Sequence, residues 1–245
     1  MGQQLINPAL DIGALRTAFK RDGRVTINDV LRPEFALAIH DCLAGDAIPW
    51  RLAFYRHDAE GPATVGRLTP EQQREMGAEG VAALEANVRE EARERFQYLY
   101  DAYDVLKARR EGRDPGLFLQ QFLNFLGTDE LFAFVEEVSG NTEFNRVDCH
   151  ACRYRPGQFL REHADRSLFE NRHMAYVFYF TPDWHLDFGG LTTFQDESGR
   201  ILDCLAPGFN RLTLFRVPVL HSVTPVADYA PHPRYSITGW FTRYD

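Results

Sequence analysis

From Asn145 to its end the chain is written in short runs of β-branched and aromatic residues, each bounded by Gly, Pro or Asp. Eight such runs, at 146–154, 158–164, 174–181, 190–195, 200–204, 211–217, 219–226 and 233–243, follow one another with no helical segment between them. Parallel strands need long crossovers, usually helical, so runs this close together pair antiparallel. The expectation is a mainly β fold, a sandwich or jelly roll, with helices packed outside it.

The first half has a different period. Asp11 to Ala44 reads as a helix, a short strand-like patch at Arg24 to Ile27, and a second helix after Pro33 with Phe35, Ile39 and Leu43 at helical spacing. Thr69, Pro70 and Gln72 supply an N-cap, a proline at the first helical position and a capping-box partner. From there to Arg110 the spacing of Phe96, Leu99, Tyr100, Tyr103 and Leu106 predicts one amphipathic helix with its aromatics in the core, or alternatively a substrate lid or dimer face. Gly112 to Gly116 breaks it, and Leu117 to Val138 predicts one or two further helices ending near Gly140. Residues 1–145 are thus expected to form a mostly helical support, with a helical insertion near 60–115. Residues 146–245 form the β core of one integrated domain.

A chain of 245 residues with 44% hydrophobic side chains can bury one large core. Its net charge of −8, with no Lys/Arg block, argues against direct nucleic-acid binding. No window approaches the apolar length of a membrane span, and Met1 to Leu5 lacks the blocks of a signal peptide. The expectation is a cytoplasmic protein, with a homodimer as a candidate assembly. Cys42, Cys149, Cys152 and Cys204 then read as free thiols. Cys149 and Cys152 form a C-x-x-C, but on a strand residues three apart point to opposite faces, which favours buried thiols over a metal clamp.

The eight histidines carry more information. Two of them head a His-x-Asp triplet, His163 with Asp165 and His185 with Asp187. Eight His and 18 Asp in 245 positions produce about 0.6 such triplets by chance, so at least one should be accidental. Residues i and i+2 of a strand face the same side, so an imidazole and a carboxylate at this spacing can hold one ion. His163 closes a strand, turn, strand reading, whereas His185 lies in a polar turn between Pro182 and Gly190. Metal sites need rigid elements, which favours His163 and Asp165. His221, inside the apolar run from Pro218 to Pro225, supplies a third ligand from a distant strand. Two histidines and a carboxylate make the facial triad suited to non-haem Fe(II), with three positions left open.

Arg234 follows His221 by thirteen residues and shares a strand face with Ser236 and Thr238. A guanidinium inside a barrel must be paired, and no Asp or Glu neighbours it in that strand. A ligand carboxylate and a salt bridge to another strand both satisfy it.

The order His163, Asp165, His221, Arg234 resembles the 2-oxoglutarate and Fe(II)-dependent oxygenases of the prolyl 4-hydroxylase type, including the oxygen-sensing hydroxylases and their bacterial relatives. The likeness runs from 146 to 243. It includes Tyr154, Pro156 and Gly157 before the first ligand, YFTPDW at 179–184, GGLTTF at 189–194, NRLTLF at 210–215 and RYSITGWF at 234–241. The resemblance implies a double-stranded β-helix, cupin-like core with N-terminal helical support. It implies Fe(II) on His163, Asp165 and His221. It implies 2-oxoglutarate on Arg234 and the Tyr179 hydroxyl, in a pocket lined by Tyr154, Leu191, Ser236 and Trp240. O₂ is the second co-substrate and ascorbate a candidate reductant. The stretch 60–115 lies outside the resemblance.

The function so implied is hydroxylation of a prolyl residue of a protein. The alternatives are hydroxylation of a free amino acid or other small molecule, and a non-catalytic jelly-roll metal-binding protein. Arg161, Arg166 and Arg172, near the first ligands, are candidate contacts to an acidic or peptide substrate.

Overall fold

The computed structural model describes residues 4–57, 63–166 and 171–243. Among them, thirteen strands form one antiparallel sheet whose main path runs β1 (Arg24–Asn28), β11 (Phe209–Arg216), β8 (Asn171–Phe180), β13 (Arg234–Arg243), β6 (His150–Tyr154), β4 (Tyr98–Asp104), β7 (Phe159–His163), β12 (Leu220–Val223), β9 (Thr192–Gln195), β10 (Ile201–Leu205). The hairpin of β2 (Arg51–Arg56) and β3 (Thr64–Leu68) adds to β4, and the short β5 (Arg146–Val147) adds to β13. The two ends of the path meet, because Arg24 on β1 reaches Asp203 on β10 at 3.3 Å and its guanidinium lies 5.5 Å from the Phe194 ring on β9. The sheet is therefore curled into a jelly roll, and its two faces become an outside and an inside.

Period-two alternation sorts the side chains between them. On β8 and β13, Tyr176, Phe178, Phe180, Tyr235, Ile237 and Phe241 face outward into the main core. There they meet α1 (Ile12–Asp22), α2 (Pro33–Ala44), α5 (Leu119–Leu126) and α6 (Asp129–Ser139). Phe122 of α5 packs edge-on against Phe178 and Phe180, with ring centroids 5.3 and 6.0 Å apart. The alternate residues Tyr179, Arg234 and Ser236 are buried on the inner face.

Seven of the eight expected strands and the helices over 11–44 and 117–139 are present with shifted ends, and the eighth, 146–154, is broken at Asp148 and Cys149 into β5 and β6. The single helix expected from 69 to 110 is not present. α3 (Pro70–Glu91) starts on the Thr69 capping box as expected and turns at Gly77. The aromatic run then becomes strand β4, followed by the short α4 (Val105–Arg110). β4 pairs with β2 along one edge and with β7 and then β6 along the other, with both faces covered. Leu99 packs under α3, Tyr103 faces the helical core, and Tyr98 and Tyr100 face inward. A strand apolar on both faces loses its alternation, and its spacing then imitates a helix. Among the described residues no helix is long and apolar enough to cross a membrane.

Candidate metal centre and its arginine pocket

β7 and β12 bring the two histidines together. His163 and His221 are direct cross-strand partners, and Leu160 pairs with Val223. Three steps on β7 match two on β12, so a bulge re-aims His163 to the inner face beside His221. Their ring centroids are 4.1 Å apart. Asp165 joins them by a route other than the expected strand alternation. β7 ends at His163, and Asp165 takes the left-handed region at φ 53°, a conformation that Asp adopts more readily than most residues. Its carboxylate lies 3.3 Å from His163 Nε2 and 3.5 Å from His221 Nε2.

The second nitrogen of each ring selects the tautomer. His163 Nδ1 lies 3.0 Å from the Arg161 carbonyl and His221 Nδ1 2.9 Å from the Val219 carbonyl. A carbonyl only accepts, so Nδ1 carries the proton and the Nε2 lone pairs turn toward Asp165, as a metal site requires. Burial and the neighbouring His163 ring push the His221 imidazole down to about 4. Burial would raise the Asp165 carboxyl, but a hydrogen bond from His163 when its Nε2 is protonated, and the charge the two rings then carry, hold it at about 2 in the absence of metal. Two neutral imidazoles and one carboxylate fit a divalent transition metal and leave a formal charge of +1 on the site. Among the described residues this is the one group of three or more such side chains able to share an ion.

His185 and Asp187 are not part of it. They lie on a single 3₁₀ turn, Leu186–Phe188, where His185 packs its ring 5.2 Å from Phe188. Cys149 and Cys152 are both buried, Cys149 in the outer core and Cys152 on the inner face, and burial pushes both thiols up, Cys152 to about 12. Both are buried thiols, as expected, although Cys149 lies between β5 and β6 and not on a strand.

Arg234 is 2% exposed. Nη1 donates to Ser236 Oγ and Nη2 to Thr192 Oγ1, both at 3.2 Å, while Nε has no partner among the described residues. The guanidinium lies 4.7 Å from the Tyr154 ring and 5.3 Å from that of Tyr179, and no carboxylate among the described residues pairs with it. A buried cation held by two hydroxyls and two aromatic faces is under-compensated, which is the chemistry of a site for an anion. Gly190 is required beside it, since a Cβ there would come within 3.1 Å of Arg234 Cδ at a φ of 62°.

Of the expected lining residues, Tyr154, Tyr179 and Ser236 touch Arg234. Leu191 is fixed by its backbone N–H to Thr224 Oγ1 at 2.9 Å. Trp240 lies between the His150 ring, 6.0 Å away, and the Arg172 guanidinium at 3.8 Å. Thr192 was not anticipated, although it accepts from both Arg234 and the Tyr179 hydroxyl, the latter at 2.9 Å. A threonine following a Gly-Gly pair was its only signal. Of the arginines expected to meet substrate, Arg161 is used structurally, donating to the Ala92 and Arg95 carbonyls at 2.6 and 2.7 Å after α3. Arg166 is exposed. The aromatic wall of the site also comes from outside the expected set. Phe96 lies 5.9 Å from the His163 ring, and Tyr98 and Tyr100 continue the wall to Tyr154.

A mouse (Mus musculus) protein named prolyl 3-hydroxylase OGFOD1 is 30% identical over 151 residues, 59% of this chain, and the chain spans 26% of that protein's length. A Pseudomonas putida prolyl-4-hydroxylase superposes with a TM-score of 0.57 at 19% identity, over 96% of this chain and all of the other. A Trichoplax adhaerens prolyl hydroxylase, solved with a hypoxia inducible factor oxygen degradation domain peptide, gives 0.59 at 15% identity, over 94% and 88% of the two chains. These two likenesses show the shared fold. Residues 149–242, the segment that holds His163, Asp165, His221 and Arg234, match the model of the 2OG-Fe(II) oxygenase superfamily.

Proposed function

We propose that the protein is a 2-oxoglutarate- and O₂-dependent Fe(II) hydroxylase acting on a prolyl residue of a protein. The observation that carries the reading is Arg234, a guanidinium 2% exposed and without a carboxylate among the described residues, on the same inner face as the cluster of His163, Asp165 and His221. A structural metal protein has no use for a buried unpaired cation, whereas a dicarboxylate co-substrate satisfies it. The prolyl part of the proposal rests on the names of the mouse relative and of the two solved hydroxylases.

In this reading His163, Asp165 and His221 hold Fe(II). When bound, the metal supplies the oxidative chemistry in which 2-oxoglutarate and O₂ become succinate and CO₂ and one oxygen atom enters a substrate C–H bond. The chain's own residues do the rest. The locked Nδ1 protons present both Nε2 lone pairs without reorganisation. The Asp165 charge leaves the centre cationic enough to attract an anionic keto acid. Arg234 fixes its far carboxylate, and the Tyr179 hydroxyl becomes a second donor when its single proton turns from Thr192 Oγ1 to the incoming oxygen. Phe96, Tyr98, Tyr100 and Tyr154 keep water from the wall of the site.

The test is anaerobic visible absorption with Fe(II), before and after 2-oxoglutarate, on the wild type and on His163→Ala and Arg234→Ala. A charge-transfer band that requires both additions and is lost or weakened in the variants is expected. Metal bound with no band on adding the keto acid overturns the reading.

A further inference from the structure

We infer that the protein substrate carries an acidic side chain near the modified residue, read by Arg51 and Arg67 on the inner face of the β2–β3 hairpin. This rests on the hydroxylase reading above and adds the chemistry that selects its substrate.

Strand register places both arginines on the face that holds the site. Arg67 lies opposite Ala53, and Ala53 opposite Tyr100. The pairing of Asp101 with Arg153 sets Tyr100 opposite Tyr154, their rings stacked at 5.0 Å, and Tyr154 lies opposite Arg234. Cross-strand partners share a face, so these five residues form one row across the sheet. A second row runs Arg51, Ala102, Cys152, Ser236, Tyr179. Each row begins on an arginine of the hairpin and ends in the Arg234 pocket. Four strand spacings put Arg67 at most roughly 19 Å from Arg234. Phe96, beside the His163 ring, precedes Tyr100 by four residues, roughly 13 Å of extended chain. Arg67 stands two strand spacings to the side of Tyr100, roughly 16 Å from Phe96 in all, a gap that about five extended residues, or four with the arginine's own reach, close; Arg51, opposite Ala102, lies roughly 20 Å away.

The two charges are available. Among the described residues neither Arg51 nor Arg67 has an ion-pair or hydrogen-bond partner, and Arg67 is exposed. With Lys107 and Arg113 they converge on a small cleft over Asp104 and His150. Three acids border the cleft and offset part of that charge, Glu111 beside Lys107, Arg113 and Arg51, Asp114 beside Arg113, and Asp104 beside His150, so four cations stand against three anions. Asp104 accepts the Lys107 backbone N–H at 2.9 Å as the N-cap of α4, Glu111 holds Arg113 at 2.8 Å, and Asp114 accepts the Tyr103 hydroxyl at 2.7 Å. In a chain of net charge −8 this is a local reversal of sign, and such a patch selects an oppositely charged partner more than it strengthens binding in general. Arg51 and Arg67 are diagonal neighbours on adjacent strands, about 7 Å apart. That separation lets both forks grip one carboxylate, or two carboxylates at alternate positions of an extended peptide.

The test uses fluorescein-labelled peptides of about ten residues with one central proline, a single Asp moved from four residues before it to four after, and Asn counterparts. They are titrated anaerobically against protein loaded with Fe(II) and 2-oxoglutarate, wild type and the double variant Arg51→Gln, Arg67→Gln, at low and high salt. At least one Asp position is expected to bind about tenfold tighter than its Asn counterpart in the wild type. That preference should collapse in the double variant and weaken with salt. If no Asp position is preferred, or if the preference survives in the double variant, the inference is wrong. The keto-acid band recorded on the same samples separates the two failures. A band with no Asp preference sinks this inference alone, and no band in the wild type sinks the hydroxylase reading and this inference with it.

Discussion

His163 and His221 face each other across the β7–β12 pair with ring centroids 4.1 Å apart, and each is pinned through Nδ1 to the carbonyl two residues earlier in the chain, Arg161 and Val219. The ligand atoms are therefore placed by backbone. Because the three side chains are set by β7, β12 and a left-handed residue, removing one leaves the other two in position. Asp165→Ala should retain the fold, shown by an unchanged far-ultraviolet dichroism spectrum, while Fe(II) affinity by titration falls at least about a hundredfold. Wild-type metal affinity in this variant would remove Asp165 from the ligand set.

The same burial makes the metal-free protein sensitive to mild acid. The His221 imidazole is pushed down to about 4 from an ordinary value of 6.5, first by burial and then by His163. Between those values the unfolded chain binds the proton and the folded chain does not, so stability falls as pH drops through 6.5 and levels off near 4. From pH 7 to 5 the loss attributable to His221 is on the order of 2 kcal/mol. Burial lowers His150 as well, so the quantity to measure is the difference between the wild type and His221→Gln in urea unfolding at the two pH values. Equal pH slopes for the two proteins would contradict the assignment.

Arg234 sets function against stability. Its guanidinium is 2% exposed, with two neutral hydroxyl partners and an unpartnered Nε. An apolar side chain of similar volume removes the desolvation cost, a class of change that is often neutral or stabilising by about 1–4 kcal/mol. Arg234→Met should therefore match or exceed the wild type in chemical denaturation without ligand, while 2-oxoglutarate binding by calorimetry is lost. A variant strongly destabilised in the ligand-free state would mean that the arginine serves the fold.

What the sequence made legible follows from burial. The strands after Asn145 were legible as strands because one face meets helices and the other lines the site, which writes short runs bounded by turn residues. His163, His221 and Arg234 stood out because polar residues in apolar runs need partners. The position of Asp165 was legible as a spacing, whereas the bulge and the left-handed turn that bring it to the histidines are backbone events with no side-chain signature. Thr192 was hidden because a hydroxyl that accepts from two donors looks like any other threonine. The greatest loss was β4. With Leu99 under α3 and Tyr98 and Tyr100 in the site, period two vanished, and with it the aromatic wall and the hairpin that bears Arg51 and Arg67.

Asp101 separates the two readings of that segment experimentally. On an amphipathic helix with Tyr100 and Tyr103 inward, Asp101 would lie on the solvated face, and its loss would change stability by a few tenths of a kcal/mol. On β4 it is 2% exposed and accepts from Arg153 Nε at 2.9 Å and Arg155 Nε at 2.8 Å, while Arg155 continues to Glu85 of α3 at 3.1 Å. Neutralising it leaves two guanidiniums facing each other and loosens the polar link from the sheet through Arg155 to α3. Breaking a fully buried pair costs about 3–5 kcal/mol, and because both arginines are about a third exposed, solvent screening reduces this to about 2 kcal/mol. Asp101→Asn should lower the unfolding midpoint accordingly, and Asp101→Asn combined with Arg155→Met should recover part of the loss because one stranded charge is removed. A neutral single variant would restore the helical reading of residues 96–106 and detach the aromatic wall from the site.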